Sequence, residues 1–169
     1  MKTLIAYFSR AGENYVNGSI TNLTKGNNEV LAEKLQTIIS GATTFKIEPK
    51  HPYSDNYMTC IKQAQQDQNE NARPELKTYL NSIDEFDKIY LIYPIYWGTF
   101  PMHVFTFLQH YDFSGKTIVP IATHEGSGLG SSEGDLKKLL PSAHIEKGTA
   151  IAGGRVSSSD PILEKLVNG

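Results

Sequence analysis

A single cysteine, Cys60, is all that this 169-residue chain contains. One thiol closes no internal bridge, which removes the disulfide-stapled secreted scaffolds. There is no basic surplus either: 16 Lys and Arg stand against 18 Asp and Glu, for a formal net charge of −2. A nucleic-acid binder carries an excess of cations to neutralise phosphates, so that class is disfavoured. No apolar run approaches the roughly 18 residues that a membrane span requires; the longest, residues 89–97, is interrupted by Pro94. The opening stretch, residues 1–8, ends at Ser9-Arg10 with no small-residue cleavage pattern behind it, so it reads as a first strand. The sequons Asn17-Gly18-Ser19 and Asn22-Leu23-Thr24 then count as chance matches. A Walker-type GxxxxGK[ST] is missing, and no GxGxxG follows the first apolar run, which disfavours nucleoside triphosphatases and dinucleotide-binding Rossmann domains. His51, His103, His110, His124 and His144 show neither HExxH nor a paired ligand spacing.

What remains is an ordinary globular composition, 39% hydrophobic and 20% charged. The length suits one domain over residues 1–169. The expectation is a cytoplasmic protein without membrane insertion. Three nearly continuous apolar runs stand out: residues 3–8 (TLIAYF), 89–93 (IYLIY) and 117–122 (TIVPIA). Strands apolar on both faces belong to a parallel sheet covered on either side by helices. Residues 43–47 and 143–147 alternate more and suit the sheet edges. Helical spacing marks residues 28–39, with 102–110 following Pro101, 132–140 ending at Pro141, and 159–167 capped by Ser159 or Asp160. Residues 55–71 are polar with sparse apolar positions and read as a solvent-washed helix. Such β-α alternation specifies a three-layer α/β/α sandwich with right-handed crossovers. Ligands of these sheets bind outside the carboxyl ends of the strands, where the strand order reverses.

Three loops are thereby singled out. The first, Ser9-Arg10-Ala11-Gly12-Glu13-Asn14, resumes as Gly26-Asn27-Asn28-Glu29 at a helix start. Small and hydroxyl residues feeding a helix N-terminus make an anion cradle from free N–H groups and the helix dipole. Residues 15–25 between these parts are an insertion, either a lid or a surface excursion, in a connection that usually needs about 2–6 residues. The second loop, Tyr93-Pro94-Ile95-Tyr96-Trp97-Gly98-Thr99, puts the only tryptophan beside a glycine, an aromatic shelf for a flat heterocycle. The third, Thr123-His124-Glu125-Gly126-Ser127-Gly128, lets main chain approach a planar edge. His124 there could donate to a ring carbonyl. A phosphorylated, flat, amphipathic ligand satisfies all three loops. The stretch Gly130-Ser131-Ser132-Glu133-Gly134 has the letters of a nucleophile elbow, but Ser132 lies well beyond the strand end. Cys60, on the polar helix, reads as a bystander away from the loops.

The segments Phe8-Ser9-Arg10-x-Gly12, Asn27-Asn28-Glu29, Pro94-Ile95-Tyr96-Trp97-Gly98-Thr99-x-Pro101 and Phe113-Ser114-Gly115-Lys116 resemble the flavodoxin-like FMN proteins over essentially the whole chain. The resemblance implies a five-stranded parallel sheet of order 2-1-3-4-5, counting predicted strands, with FMN as cofactor. It implies that Ser9, Arg10, Ala11, Gly12, Asn14, Asn27 and Asn28 hold the phosphate. Pro94, Ile95, Tyr96, Trp97 and Gly98, with Thr123, His124, Glu125, Gly126, Ser127 and Gly128, would enclose the ring system. Two positions depart from the family's pattern: Ala11 and Asn28 stand where it has threonine. The third loop also lacks the tyrosine that covers one flavin face in many carriers, for which Tyr15, Tyr53 and Tyr57 are candidates. Electron transfer with a redox partner protein or a small-molecule donor or acceptor is the implied function. A Trp97-Gly98 carbonyl turning towards flavin N5–H would tune its potential. An FMN-dependent NAD(P)H:quinone or nitro-compound reductase is the first alternative, favoured by the near-neutral charge and an uncovered ring face. A cofactor-free binding module of the same fold is the second. Sequence leaves the oligomeric state open.

Overall fold

The computed structural model describes residues 2–169. In chain order its first elements are β1 (Thr3–Tyr7), β2 (Gly12–Val16), β3 (Ser19–Leu23), α1 (Asn27–Ile38), β4 (Thr43–Lys46), α2 (Tyr57–Asn69) and β5 (Lys88–Pro94). They are followed by α3 (Met102–His110), β6 (Thr117–His124), α4 (Ser132–Leu139), β7 (His144–Ile145), β8 (Thr149–Ala152), a 3-10 turn (Gly153–Ser158) and α5 (Asp160–Asn168). β4, β1, β5, β6 and β7 lie side by side in that order and run parallel, and β8 also joins β6. This is the flavodoxin-like α/β sandwich. The reversal of strand order falls between β1 and β5, whose register pairs Ile5 with Tyr90 and Tyr7 with Ile92.

Alternation along the apolar strands divides the core. Leu4, Ala6, Leu91, Tyr93, Ile118 and Ala122 face one way and bury Val104, Phe107 and Leu108 of α3 with Leu136 of α4. Ile5, Tyr90, Ile92, Val119 and Ile121 face the other way, against Leu31, Ala32 and Leu35 of α1 and Leu163 of α5. No strand face of this central trio meets water, which is why its sequence shows continuous rather than alternating hydrophobicity. Pro161 sits in the first turn of α5 as expected, but Ser159 does not cap that helix with its side chain: its hydroxyl donates back to Val156 O at 2.6 Å. Among the described residues no helix is long and apolar enough to cross a membrane.

Two expectations need correction and a third gains a definite form. The insertion, expected as a lid or a surface excursion, is an antiparallel hairpin, β2 with β3, pairing Gly12 with Leu23 through Val16 with Ser19. Asn17 and Gly18 turn it at φ 52° and 85°, the conformation for which Asn-Gly is the strongest short-range signal. The edge strand expected at residues 143–147 shrinks to the two residues of β7, and a second short piece, β8, follows Gly148, whose amide donates to Glu133 Oε2 at 2.7 Å. Lastly α2, read as washed by solvent, turns Cys60 and Ala64 inward and packs against α3 and β2.

Candidate functional site

At the carboxyl end of β1 the chain folds back on the start of α1. Ser9 Oγ accepts the Glu29 amide at 3.0 Å, and Gly26 O accepts that of Val30 at 3.2 Å. The first helical N–H groups have no acceptor within a helix. Those of Asn27 and Asn28 have no hydrogen-bond acceptor among the described residues. Gly26 permits the close approach: a Cβ there would lie 2.1 Å from Ser9 Oγ and 2.6 Å from the Arg10 carbonyl oxygen. Asn28 is itself buried, donating to the Phe8 carbonyl at 2.9 Å and accepting from Thr123 Oγ1 at 2.8 Å. Its side chain stitches the end of β1 to the end of β6, so only its backbone amide remains for a ligand.

The second loop turns tightly through Tyr96-Trp97-Gly98-Thr99, with the Tyr96 amide donating to Thr99 O at 2.7 Å. Trp97 has φ 54° and Gly98 φ 87°. A bulky residue with positive φ is rare and is retained only where its surroundings over-determine it. Here they do. The indole Nε1 donates to Ile61 O at 2.8 Å, and Gln68 Nε2 donates to Trp97 O at 3.1 Å. The ring is thus clamped by α2 while 47% of the residue stays exposed. Gly98 O accepts from the Ser131 amide at 2.7 Å, which ties this turn to the third loop.

In the third loop His124 Nδ1 accepts the Gly126 amide at 2.8 Å, leaving Nε2 as the ring nitrogen free to meet a ligand. Glu125 Oε1 accepts the Asn17 amide at 2.7 Å, so the hairpin turn is latched across to this loop. Ser132 is fully buried, accepting from the Tyr93 hydroxyl at 2.8 Å and donating to Leu129 O at 2.6 Å. It is a packing hydroxyl.

These loops enclose one cavity of about 350 Å³. Arg10, Asn14, Asn27, Thr123, His124, Glu125 and Ser127 form its polar part. Pro94, Ile95, Tyr96 and Trp97 bound its apolar part. Of the residues expected from sequence, Ser9, Ala11, Gly12, Asn28, Gly98, Gly126 and Gly128 stand behind or beside the wall rather than in it. Sequence reasoning missed Cys60, Ile61 and Ala64, which share an α2 stripe with the candidate Tyr57, and Gly153 after β8. Cys60 is therefore part of the cavity wall, not remote from it. Burial pushes its thiol pKa up, only partly countered by the Arg10 guanidinium, so it stays protonated and unreactive at neutral pH. The missed stripe has a signature in helical spacing: positions 57, 60, 61 and 64 share one face. Of the three candidate tyrosines, Tyr15 and Tyr57 reach the cavity. Tyr53 does not line it: its hydroxyl donates to Asp67, its ring meets His103 edge-on, and burial followed by that bond raises its pKa strongly.

Residues 2–168 match the family model described as flavodoxin. The chain belongs to the flavodoxin family. It is similar to the crystal structure of a candidate flavoprotein from Bacteroides uniformis, at 26% identity and TM-score 0.77, with 99% of this chain and 98% of that one covered. It is also similar to one from Bacteroides eggerthii, at 27% identity and TM-score 0.70, covering 96% and 97%. A flavoprotein from Lactobacillus acidophilus solved in complex with FMN shares the fold at 17% identity and TM-score 0.65, covering 93% and 97%. No curated protein matches the chain significantly.

Proposed function

We propose that this chain binds FMN in the cavity at the β1–β5 switch point and passes electrons between a donor and an acceptor, either a partner protein or a small molecule. One observation carries this reading: all three loops line a single cavity, polar where α1 begins and aromatic at Trp97. The donor set fits the group. The Asn27 and Asn28 amides, the Ser9 hydroxyl hydrogen and the α1 dipole suit a phosphate dianion. Arg10, pinned by Nε to Glu13 O and by Nη2 to Asp55 O, adds the cation. Bound FMN supplies one- and two-electron redox chemistry that no side chain here provides. The residues around it position the ring, exclude water and set its electrostatics. The Trp97 carbonyl accepts from Gln68 at 3.1 Å, and at this glycine-assisted turn it would be a residue-borne acceptor for the ring of bound FMN. Gly98→Ala then shifts the reduction potential in a redox titration, and an unmoved potential refutes that contact.

The direct test is the visible spectrum after incubation with FMN and desalting. Flavin bands that stay with the protein support the reading, and a colourless eluate refutes it. Half-exposed Trp97 and Tyr15 at the cavity mouth also favour a second reading, an NAD(P)H-dependent quinone or nitro-compound reductase. Steady-state turnover separates the two: a carrier oxidises NADPH negligibly in the presence of a quinone, and a reductase does so catalytically.

A further inference from the structure

Two rings at the cavity come from outside the three loops. Tyr57 opens α2 and Tyr15 lies in β2, their centroids 6.0 Å apart and their planes 26° from parallel. Both line the cavity. The pair is held from below by a chain of contacts. Glu13 Oε1 accepts the Tyr57 amide at 2.7 Å, Arg10 Nη2 donates to the Asp55 carbonyl at 3.0 Å, and Arg10 Nε donates to the Glu13 carbonyl at 3.0 Å. Glu13 and Tyr15 are two positions apart, so they share one face of β2.

An isolated two-stranded hairpin is marginal in water. This one keeps its shape through what it is tied to: α2 through Glu13 and Tyr15, and the third loop through the Asn17–Glu125 bond. Tyr15 retains 42% of its surface, so the pair is not core packing. A tyrosine already stacked against a neighbour and lining a cavity meets a planar ligand at little cost in conformational entropy.

We propose that Tyr57, backed by Tyr15, is the stacking face for the planar ring system of the flavin, and that Glu13 is the residue that positions it. This rests on the FMN reading above. It gives the hairpin insertion its role: it carries the support for an aromatic wall that the third loop, without a tyrosine, does not supply. Glu13 touches no ligand; it acts through the Tyr57 backbone.

The test is FMN titration of the apoprotein, followed by flavin fluorescence, together with visible circular dichroism of the bound flavin. Tyr57→Leu is expected to weaken FMN about tenfold, the size of one aromatic stacking contact, and to change the visible circular dichroism. Tyr57→Phe keeps the ring and stays within about twofold of the parent. Glu13→Ala shows part of the Tyr57→Leu loss, and Glu13→Gln, whose amide oxygen still accepts, restores it. Melting of each apoprotein reports folding separately; should Tyr57→Leu fail to fold, Tyr15→Leu decides, with weaker FMN binding expected. Parent-like affinity and dichroism in the folded leucine variant overturn the inference while leaving the FMN reading intact. A parent that retains no FMN removes both.

Discussion

His103 in α3 is 1% exposed, tilts against Phe8 at 5.6 Å and meets the edge of Tyr53 at 5.3 Å. Its Nδ1 is buried without a hydrogen-bond partner. Burial pushes its pKa down from 6.5 to about 4, against a smaller upward pull from Asp67. The folded value lies below the unfolded one, so protons favour the unfolded chain. The stability that neutral His103 confers is intact above pH 6.5 and is lost as the pH falls towards about 4. That gap corresponds to about 3 kcal/mol. His103→Leu should therefore flatten the decline in urea-unfolding stability between pH 7 and pH 4 by about that amount; an unchanged decline contradicts it. Gly26 poses the opposite problem, since it tolerates no added atom. Gly26→Ala forces the Ser9 hydroxyl and the Arg10 carbonyl away, with a cost of about 1–3 kcal/mol. We expect a lower melting temperature together with weaker FMN binding, read by thermal melts and fluorescence titration. The need for glycine at this position is not visible in the sequence, where Gly26 looks like any residue before a helix; the contacts come from Ser9 and Arg10, on a loop much earlier in the chain.

At the level of elements, α2 is the least anchored part of the site. Its only buried side chains are Cys60 and Ala64, yet its Ile61 carbonyl and Gln68 amide fix Trp97. Its start depends on Asn56, whose Oδ1 accepts the Thr59 amide at 2.9 Å. Asn56→Ala removes that cap at a cost of about 1 kcal/mol. A loosely packed helix opens locally, so amide exchange across Tyr57–Asn69 should accelerate about fivefold while β1 and β5 keep their protection. Uniform acceleration across all three would show that α2 unfolds only with the whole molecule. The central strands were legible from the sequence because burial on both faces writes an uninterrupted apolar run. The hairpin was not, because β2 and β3 pair only with each other and bury no side chain in the core; only Asn17-Gly18 marked them. α2 was legible as a helix but not as a wall, since its inward residues are few and one of them is a cysteine.

For the whole molecule, a cofactor that binds only the folded chain stabilises it by mass action. FMN at about 100 times its Kd adds about 2.7 kcal/mol, which in a chain of this size raises Tm by about 5–10 °C. Riboflavin, lacking the phosphate that the α1 cradle and Arg10 would hold, should raise it much less at equal concentration. Equal shifts for the two would remove the phosphate from the account of the site, and no shift with FMN would remove the cofactor.

The order of apolar runs and helical segments was enough to specify the α/β sandwich, the end of the sheet where the cavity lies and the loops that surround it. Strand burial and helix periodicity are local properties, and the handedness of crossovers leaves few ways to connect them. Which loop residues face the cavity and which stand behind it came from folding in three dimensions: Asn28 spends its side chain joining β1 to β6, while Tyr57, Cys60 and Tyr15 come to the wall from segments that looked peripheral. Such contacts join residues dozens of positions apart. They depend on where a hairpin and a helix come to rest against one another, a matter of three-dimensional packing that no short window of sequence encodes.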